Sequence, residues 1–276
     1  MTRLGGAPLC ASDGFPLFSL REINQLPVAE KERLYTELIP PALLVAYEID
    51  PVTLCGSDGQ RKVSFIAPTG LGLVRIEVRL QPEDQDCLFF VEVADTPYRQ
   101  MELSFCLIND STAPRFNIDR DAAGRENSFG TLRRNFPEEL RAMAAGLSPN
   151  QVRRGLKMFS TFFRRFERFV DGLGVDTIVA EPLSYSNAIR YEGYGFDYIT
   201  GKQLMLWIDR EFAPGGDLFR RLDGSTPFRQ LGMEKSVRGR SWAIHDGILD
   251  QPWDEIKIYK TVGVDAGIET FPRRTY

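Results

Sequence analysis

The residues best suited to chemistry lie between positions 148 and 207. Three cations, Arg153, Arg154 and Lys157, stand near the start of a predicted helix. A helix that begins beside a parallel strand directs free N–H groups and a positive dipole end outward, which favours a pyrophosphate. Guanidinium and ammonium groups also bind phosphate oxygens. The segment therefore predicts a phosphate-bearing ligand, and the alternative is a solvated cationic face.

The predicted helix begins at Ser148 and ends at Gly172 and Gly174. Ser148 can cap it, Pro149 suits its first position, and Gln151 can complete a capping box. Apolar residues recur at three- and four-residue intervals and predict a stripe that packs on a sheet. They are Val152, Leu156, Phe159, Phe163, Phe166 and Val170.

The elements after this helix predict the strands that would position a ligand. Residues 175–180 are a short apolar run, typical of a strand buried on both faces. A helix that connects two strands of one sheet implies parallel pairing, and ligands tend to bind at the carboxyl ends of such strands. Residues 196–199 and 203–208 predict two further strands, with a hairpin turn at residues 200–202.

The amino-terminal part predicts a helix followed by an antiparallel meander. Residues 19–38 have helical spacing and stop at Pro40, because proline interrupts helical hydrogen bonds. Short polar connectors such as residues 81–86 favour hairpins between the strand runs. These runs are residues 43–49, 62–67, 71–80, 87–94, 100–108 and 115–118. The sequence thus predicts an α/β (α+β) fold, in which helices flank a mixed, mostly antiparallel sheet.

Residues 187–196, Asn-Ala-Ile-Arg-Tyr-Glu-Gly-Tyr-Gly-Phe, form the most specific motif. The motif resembles the N-x-x-A … Y-x-x-x-G-F segment that closes the core of the GNAT superfamily of acyl-CoA N-acyltransferases. The predicted long helix and the strand after it stand where that family has its coenzyme-binding helix and following strand. The resemblance covers residues 100–210.

The resemblance implies acyl-CoA or acetyl-CoA as co-substrate and roles for individual residues. Tyr191 would protonate the departing thiolate, a task that suits a phenol with a reference pKa of about 10. Asn187 would contact the coenzyme or the substrate. The family's pyrophosphate cradle, R-G-x-G-x-G/A, corresponds to residues 154–159, with Gly155 at its first glycine. Larger side chains, Lys157 among them, replace the next small residues.

An acyltransferase must also accept a proton from the attacking amine. Glu102, Asp119 and Glu181 are the candidates for this general base, and we take Glu102 first. The alternative for each of them is an ordinary surface carboxylate. Tyr191 has a structural alternative as well, in which it packs the core with the neighbouring aromatic residues.

The composition is that of a soluble globular protein, with 276 residues, 43% hydrophobic and 26% charged side chains. A net charge of −4 disfavours a nucleic-acid partner, which needs a strongly basic face. No apolar run approaches the ~20 residues that span a bilayer, and no secretory segment is visible, so we expect a cytoplasmic protein without membrane association. We expect residues 1–60 and 211–276 to pack on a core of residues 61–210.

We expect no metal site. The four cysteines, Cys10, Cys55, Cys87 and Cys106, have no C-x-x-C spacing, and a single histidine, His245, cannot form a His-rich site. Asn117, Asp119 and Asp121 have the alternate spacing that opens a calcium loop, but position 122 is Ala rather than the required glycine and position 128 is Ser rather than Glu. The long connection at residues 119–135 also carries candidate anion contacts, which are Arg120, Arg125, Arg133 and Arg134.

The carboxyl-terminal part offers one further candidate site. Trp242, His245 and Trp253 could line a ligand pocket, and His245 has the only unperturbed pKa near neutrality. The favoured alternative is that the tail is tethered across the core. Together these features predict an acyl-CoA-dependent N-acyltransferase acting on an amine of a small molecule or peptide. The alternative is a non-catalytic binding protein with a degenerate coenzyme site.

Overall fold

The computed structural model describes residues 5–127, 133–272 and 275–276. The described part contains nine α-helices and seven β-strands. The helices are α1 (Leu20–Ile23), α2 (Val28–Thr36), α3 (Pro41–Ala46), α4 (Phe136–Ala144), α5 (Phe159–Gly172), α6 (Tyr185–Glu192), α7 (Lys202–Glu211), α8 (Asp217–Arg220) and α9 (Val237–His245). The strands are β1 (Val63–Ile66), β2 (Leu73–Val78), β3 (Phe89–Asp95), β4 (Met101–Ile108), β5 (Thr177–Ala180), β6 (Asp197–Thr200) and β7 (Lys257–Thr261).

The chain forms two compact units, each made of separate segments. Unit 1 contains the described residues up to 111, together with residues 155–180 and 260–264. Unit 2 contains the described residues of 112–154, 181–259 and 265–276.

Unit 1 is built on an antiparallel meander of β1 to β4, as the polar connectors predict. Alternate residues of β2, Val74, Ile76 and Val78, are buried, because successive side chains of a strand point to opposite faces. The other face carries an ion pair between Arg75 of β2 and Glu92 of β3, with 2.7 Å between Nη2 and Oε2. The meander therefore has one apolar and one polar face.

Helix α5 covers the apolar face and leads into β5. The apolar residues of α5 recur at three- and four-residue spacing, so that Phe162, Phe166 and Val170 are all buried. The ring of Phe162 meets that of Phe89 on β3 edge-on, with centroids 5.7 Å apart. Strand β5 then pairs with β4 in parallel, as predicted for a helical connection. The strand order in unit 1 is β1-β2-β3-β4-β5, followed by the last residues of β7.

Unit 2 is mainly helical and has its own apolar core. Strand β6 pairs antiparallel with the first residues of β7, starting at Asp197↔Tyr259. The indole of Trp242 on α9 stacks on Phe228 with 5.2 Å between centroids, and its Nε1 donates to the Leu147 carbonyl at 2.8 Å. The core residues are Phe116, Ile118, Ala142, Leu147, Phe228 and Trp242.

The pairings confirm the predicted fold class. Strand pairs β1–β2, β2–β3, β3–β4 and β6–β7 are antiparallel, and β4–β5 is parallel. The protein is an α+β fold with helices flanking a mixed, mostly antiparallel sheet of seven strands.

The predicted helix start at Ser148 is wrong, because α5 begins at Phe159. Gln151 Oε1 does accept a hydrogen bond from the Ser148 N–H at 2.8 Å, so half of the predicted capping box forms without a helix. Gly155 forms an isolated antiparallel bridge with Asn109. This pairing with a distant residue extends the chain at the place where the local signals favour a helix.

The predicted strand at residues 203–208 is also wrong, since these residues belong to α7. Met205, Ile208 and Phe212 are buried at helical spacing, so a short apolar run here belongs to a helix face. Gly201 caps α7 with a φ of +88°, and the predicted hairpin turn around it is therefore absent from the described residues.

Three amino-terminal predictions need correction. Residues 43–49 are not a strand, because Pro41 occupies the first turn of α3, where its missing N–H costs nothing. Residues 19–38 form two short helices, α1 and α2, rather than one. Residues 115–118 form no strand, and two of them, Phe116 and Ile118, lie in the core of unit 2.

Candidate functional site

The candidate site lies in unit 1, where β4 extends beyond its parallel partner. The two strands pair only as far as Glu102↔Val179, because β5 ends one residue later, whereas β4 continues to Ile108. The next residue, Asn109, forms the bridge with Gly155. A stretch of β4 between these two pairings therefore has no strand partner on the β5 side in the described part of unit 1.

We call this stretch, residues 103–108, the open edge of β4. At ~3.3 Å per residue its six residues span roughly 20 Å. From Ser104 onward every side chain is partly exposed, in contrast to the buried Met101 and Leu103. An unpaired edge presents backbone N–H and C=O groups at regular intervals, which can bind an extended ligand.

A β-bulge interrupts β4 at the start of the open edge. The adjacent β3 residues Glu92 and Val93 pair with Phe105 and Leu103, so Ser104 is an extra residue in the ladder. A bulge bends the strand and turns groups out of the regular pairing, and bulges are frequent next to active sites. The bulge at Ser104 therefore lies close to Glu102, where the β4–β5 pairing ends.

Glu102 lies where β4 and β5 stop pairing. Its side chain is partly buried, and its Oε1 accepts a hydrogen bond from the Ser104 hydroxyl at 3.1 Å. The residue opposite on β3 is Ala94, whose methyl group leaves room beside the carboxylate. The structure thus brings a carboxylate and a hydroxyl together at the start of the open edge.

The backbone at the Asn109–Gly155 bridge and just after it has two positions whose geometry favours glycine. A Cβ on Gly155 would lie 2.8 Å from the Ile108 carbonyl oxygen, so a glycine is needed for the close approach to β4. Lys157 has a φ of +59°, a left-handed conformation that favours glycine. Lys157 therefore has a backbone conformation that favours glycine although it is a lysine.

Helix α5 begins directly after this segment. Met158 caps it without a side-chain hydrogen bond, and its first turn contains no acidic residue. The positive end of the helix dipole therefore receives no compensating carboxylate from the first turn. The ring of Phe159 packs along the helix, with centroids 6.0 Å from Phe163 and 5.8 Å from Phe162, and Lys157 is solvent-exposed.

The other predicted coenzyme-binding residues lie in unit 2. Arg153 Nη1 donates to the Ala113 carbonyl at 2.7 Å, and Arg154 is exposed. Because α5 starts at Phe159, the prediction that Arg153, Arg154 and Lys157 lie on this helix near its start is wrong. Their role as coenzyme contacts stays a prediction.

Asn187 and Tyr191 both lie on α6 of unit 2. The hydroxyl of Ser184 caps this helix by accepting from the Asn187 N–H at 3.3 Å, and Asn187 is partly buried. The carbonyl of Tyr191 accepts from the Phe196 N–H, and their rings meet edge-on with centroids 4.9 Å apart. This aromatic contact fits the structural alternative for Tyr191, and its partly exposed side chain leaves the catalytic prediction open to test.

The two other candidate bases have cationic partners. Asp119 accepts two hydrogen bonds from the Arg115 guanidinium, at 3.0 and 2.6 Å. Glu181 is exposed and forms an ion pair with Lys257 at 2.8 Å. Glu102 is the candidate that lies on the open edge's own strand and accepts a hydrogen bond from a neutral hydroxyl, so we retain it as the candidate base.

Two of the candidate anion contacts in the connection at residues 119–135, Arg120 and Arg125, have internal partners. Arg120 donates to the Gly124 carbonyl at 2.9 Å, and Arg125 forms an ion pair with Asp121 at 2.9 Å. Arg133 is exposed. Residues 128–132 of this connection lie outside the described residues.

Sequence reasoning missed a charged network in unit 2, centred on Arg134. This guanidinium donates to Glu139 at 2.9 Å through Nε and to Asp246 at 2.6 Å through Nη1. Asp246 also accepts from Arg229 at 3.0 Å, and Glu139 lies 3.3 Å from His245 Nε2. Arg134 and Asp246 are far apart in the sequence, so no local spacing reveals the network.

Glu139 is almost completely buried, with 1% of its surface exposed. Burial alone would raise the pKa of Glu139, but hydrogen bonds from His245 and Arg134 and their charges outweigh this effect and lower the pKa. The network therefore keeps a buried carboxylate ionised at neutral pH.

The carboxyl-terminal aromatic residues do not form the predicted pocket wall as a group. Trp242 is a core residue, and Trp253 Nε1 donates to the Pro182 carbonyl at 2.9 Å. The tail is instead tethered within unit 2, where the Thr270 N–H donates to the buried Glu192 at 3.1 Å and the Ala266 N–H donates to the Gly195 carbonyl. These contacts agree with the favoured alternative, in which the tail is tethered.

No protein-family model, curated protein or solved structure matches the chain. Across residues 5–127, 133–272 and 275–276, no helix is long and apolar enough to cross a membrane. Within the same ranges, His, Cys, Asp and Glu side chains form no group of three that could hold a metal ion. The functional inference therefore starts from the open edge of β4 and the residues around it.

Proposed function

We propose that the protein is an acyl-CoA-dependent N-acyltransferase that transfers an acyl group to an amine of a small molecule or peptide. The open edge of β4 is the observation that carries this proposal. Its spaced backbone groups suit the extended, amide-containing arm of a coenzyme thioester, which can hydrogen-bond to a strand edge as another strand would. The bulge at Ser104 and the carboxylate of Glu102 lie at one end of the edge.

The segment from Gly155 to the start of α5 supports a pyrophosphate at the other end. Gly155 sits against the Ile108 carbonyl, at the point where the open edge finishes. The backbone N–H groups of the first turn of α5, together with the helix dipole, favour an anion. The exposed ammonium of Lys157 supplies a positive charge beside them.

In the proposed reaction the amine nitrogen attacks the thioester carbonyl carbon. A C–N bond forms, the C–S bond breaks, and the amine gives up a proton, which the Glu102 carboxylate accepts. The departing thiolate takes up a proton, which completes the transfer. Backbone N–H groups at the bulge are suited to stabilise the oxyanion that develops on the carbonyl.

A non-catalytic binding protein is the second candidate function. The observation that favours it is the size of the side chains in the cradle, because Lys157 and Phe159 stand where the family has small residues. Such side chains hinder an approach of the pyrophosphate to the backbone.

Ligand-induced stabilisation separates the two candidates at the binding step. Acetyl-CoA or a longer acyl-CoA at 100 times its Kd should stabilise the protein by about 2.7 kcal/mol, which raises Tm by roughly 5–10 °C for a chain of this size. Free adenosine is the control ligand. No shift with any acyl chain length contradicts coenzyme binding.

Turnover is then measured as CoA release by chromatography, with a panel of amines as acceptors. Glu102→Gln keeps the size of the side chain but cannot take the proton, so we expect a 10²–10⁴-fold loss of kcat with unchanged coenzyme binding, as is typical for a general base. Glu83→Gln, at an exposed position in the β2–β3 connection, is the matched control. Tyr191→Phe tests the predicted proton donor separately. Coenzyme binding without any turnover would favour the binding protein.

A further inference from the structure

We propose that Ser104 is a positioning residue, which holds Glu102 in the orientation needed to accept the amine proton. The inference rests on the proposed acyl transfer and assigns a role to a residue that the sequence does not single out. Its basis is the hydrogen bond from the Ser104 hydroxyl to Glu102 Oε1, 3.1 Å long, at the bulge of β4.

The geometry of β4 brings these two side chains together. Residues two apart in a strand share a face, and Glu102 and Ser104 are partly exposed whereas Met101 and Leu103 are buried. The register shift removes Ser104 from the ladder with β3. A hydroxyl at an irregular position of the strand can therefore adjust to the carboxylate beside it.

No other described side chain competes with Ser104 for a hydrogen bond to the Glu102 carboxylate. The side chain of Glu102 makes no other hydrogen bond with residues that the structure describes, so Oε2 is available to a substrate. On β3, Ala94 lies opposite, and Glu92 is already held by Arg75 at 2.7 Å. Strand β5 contributes only the uncharged residues Thr177 to Ala180.

A single hydrogen bond can decide the activity of such a base. A glutamate side chain rotates about three bonds, and a partly exposed carboxylate without a partner samples orientations in which it cannot reach the amine. The Ser104 hydroxyl fixes one oxygen and thereby directs the other. Small errors in the position of a reacting group lower the rate strongly.

The test compares Ser104→Ala in the wild-type protein and in Glu102→Gln. In the wild-type background we expect kcat to fall about tenfold, with KM for the acyl donor changed less than about twofold. In the Glu102→Gln background the same substitution should change the residual rate less than about twofold, because a residue that acts through Glu102 has nothing left to orient. Ser104→Thr, which keeps the hydroxyl, should restore kcat to within about threefold of the wild type.

Ser64→Ala, on the exposed side of β1, is the matched control, and thermal unfolding confirms that each variant folds. If Ser104→Ala fails to fold, Ser104→Cys replaces it, since a thiol is of similar size and a weak donor. An equal loss of kcat in both backgrounds, or no loss in the wild type, overturns the positioning role and leaves the proposed function standing. A wild-type protein that neither binds nor cleaves an acyl thioester overturns the proposed function, and the positioning role with it.

Discussion

Replacing Lys157 by glycine should change stability and coenzyme binding in opposite directions. A residue other than glycine in the left-handed region costs about 1–2 kcal/mol, and Lys157 adopts it with a φ of +59°. Glycine removes this cost from the folded state, but its greater freedom in the unfolded chain offsets about 0.4–1 kcal/mol of the gain in stability. Lys157 is exposed, so little packing is lost. We expect Lys157→Gly to stabilise the protein by about 0.5–1 kcal/mol.

The same substitution removes the ammonium group that we place beside the pyrophosphate. A charge-assisted contact at an exposed site contributes about 1 kcal/mol, so the Kd for acetyl-CoA should rise about fivefold. Urea unfolding measures the first effect and isothermal calorimetry the second. Asn150→Gly is the control, because Asn150 also has a positive φ of +67° but asparagine tolerates it, and we expect a change below about 0.5 kcal/mol.

Two results would refute this reasoning, one for each effect. A less stable Lys157→Gly protein contradicts the proposed backbone strain at residue 157. A variant that is more stable but binds acetyl-CoA as tightly as the wild type contradicts the phosphate contact.

Three further predictions concern the stability of the two units. Gly155→Ala should lower the free energy of unfolding in urea by about 1–3 kcal/mol, because its Cβ would lie 2.8 Å from the Ile108 carbonyl oxygen. An unchanged unfolding midpoint would disprove that close contact. The folded-state pKa of Glu139 is lowered, so its ionised carboxylate stabilises the fold above the unfolded value of about 4.3, and this stabilisation is lost as the pH falls through the folded value. The stability difference between wild type and Glu139→Gln should therefore shrink as the pH falls below about 4, and a difference that grows on acidification would contradict this sign. Thr270→Val removes the hydroxyl that donates to the buried Glu192 and should lower the free energy of unfolding by about 1–3 kcal/mol, measured by thermal unfolding. An unchanged stability would show that this contact does not hold the tail in place.

Patterns that depend on near neighbours could be predicted from the sequence. The alternation of Val74, Ile76 and Val78 with charged residues places one face of β2 in the core, and the polar residues 81–86 make the following strand antiparallel. The helical period of the phenylalanines in α5 likewise identifies its buried side. These elements are determined by side-chain periods of two and 3.6 residues, which any segment shows by itself.

Features that depend on distant partners could not be predicted. The capping signals at Ser148 and Gln151 favour a helix, but the pairing of Gly155 with Asn109 extends the chain there. The apolar run at residues 203–208 is compatible with either a strand or a helix until its packing is known. For the site, the sequence identifies Glu102 as one of three carboxylates, yet only the register of β3 and β4 shows the bulge and the hydroxyl beside it.

The interleaving of the two units constrains how the protein can be synthesised and divided. The chain passes from one unit to the other after residues 111, 154, 180, 259 and 264. Unit 1 receives its last strand segment only from residues 260–264, so a ribosome must translate at least as far as residue 264 before that sheet can be completed. No single cut in the gene releases either unit intact, and expression of one alone would require joining segments that are separate in the natural reading frame.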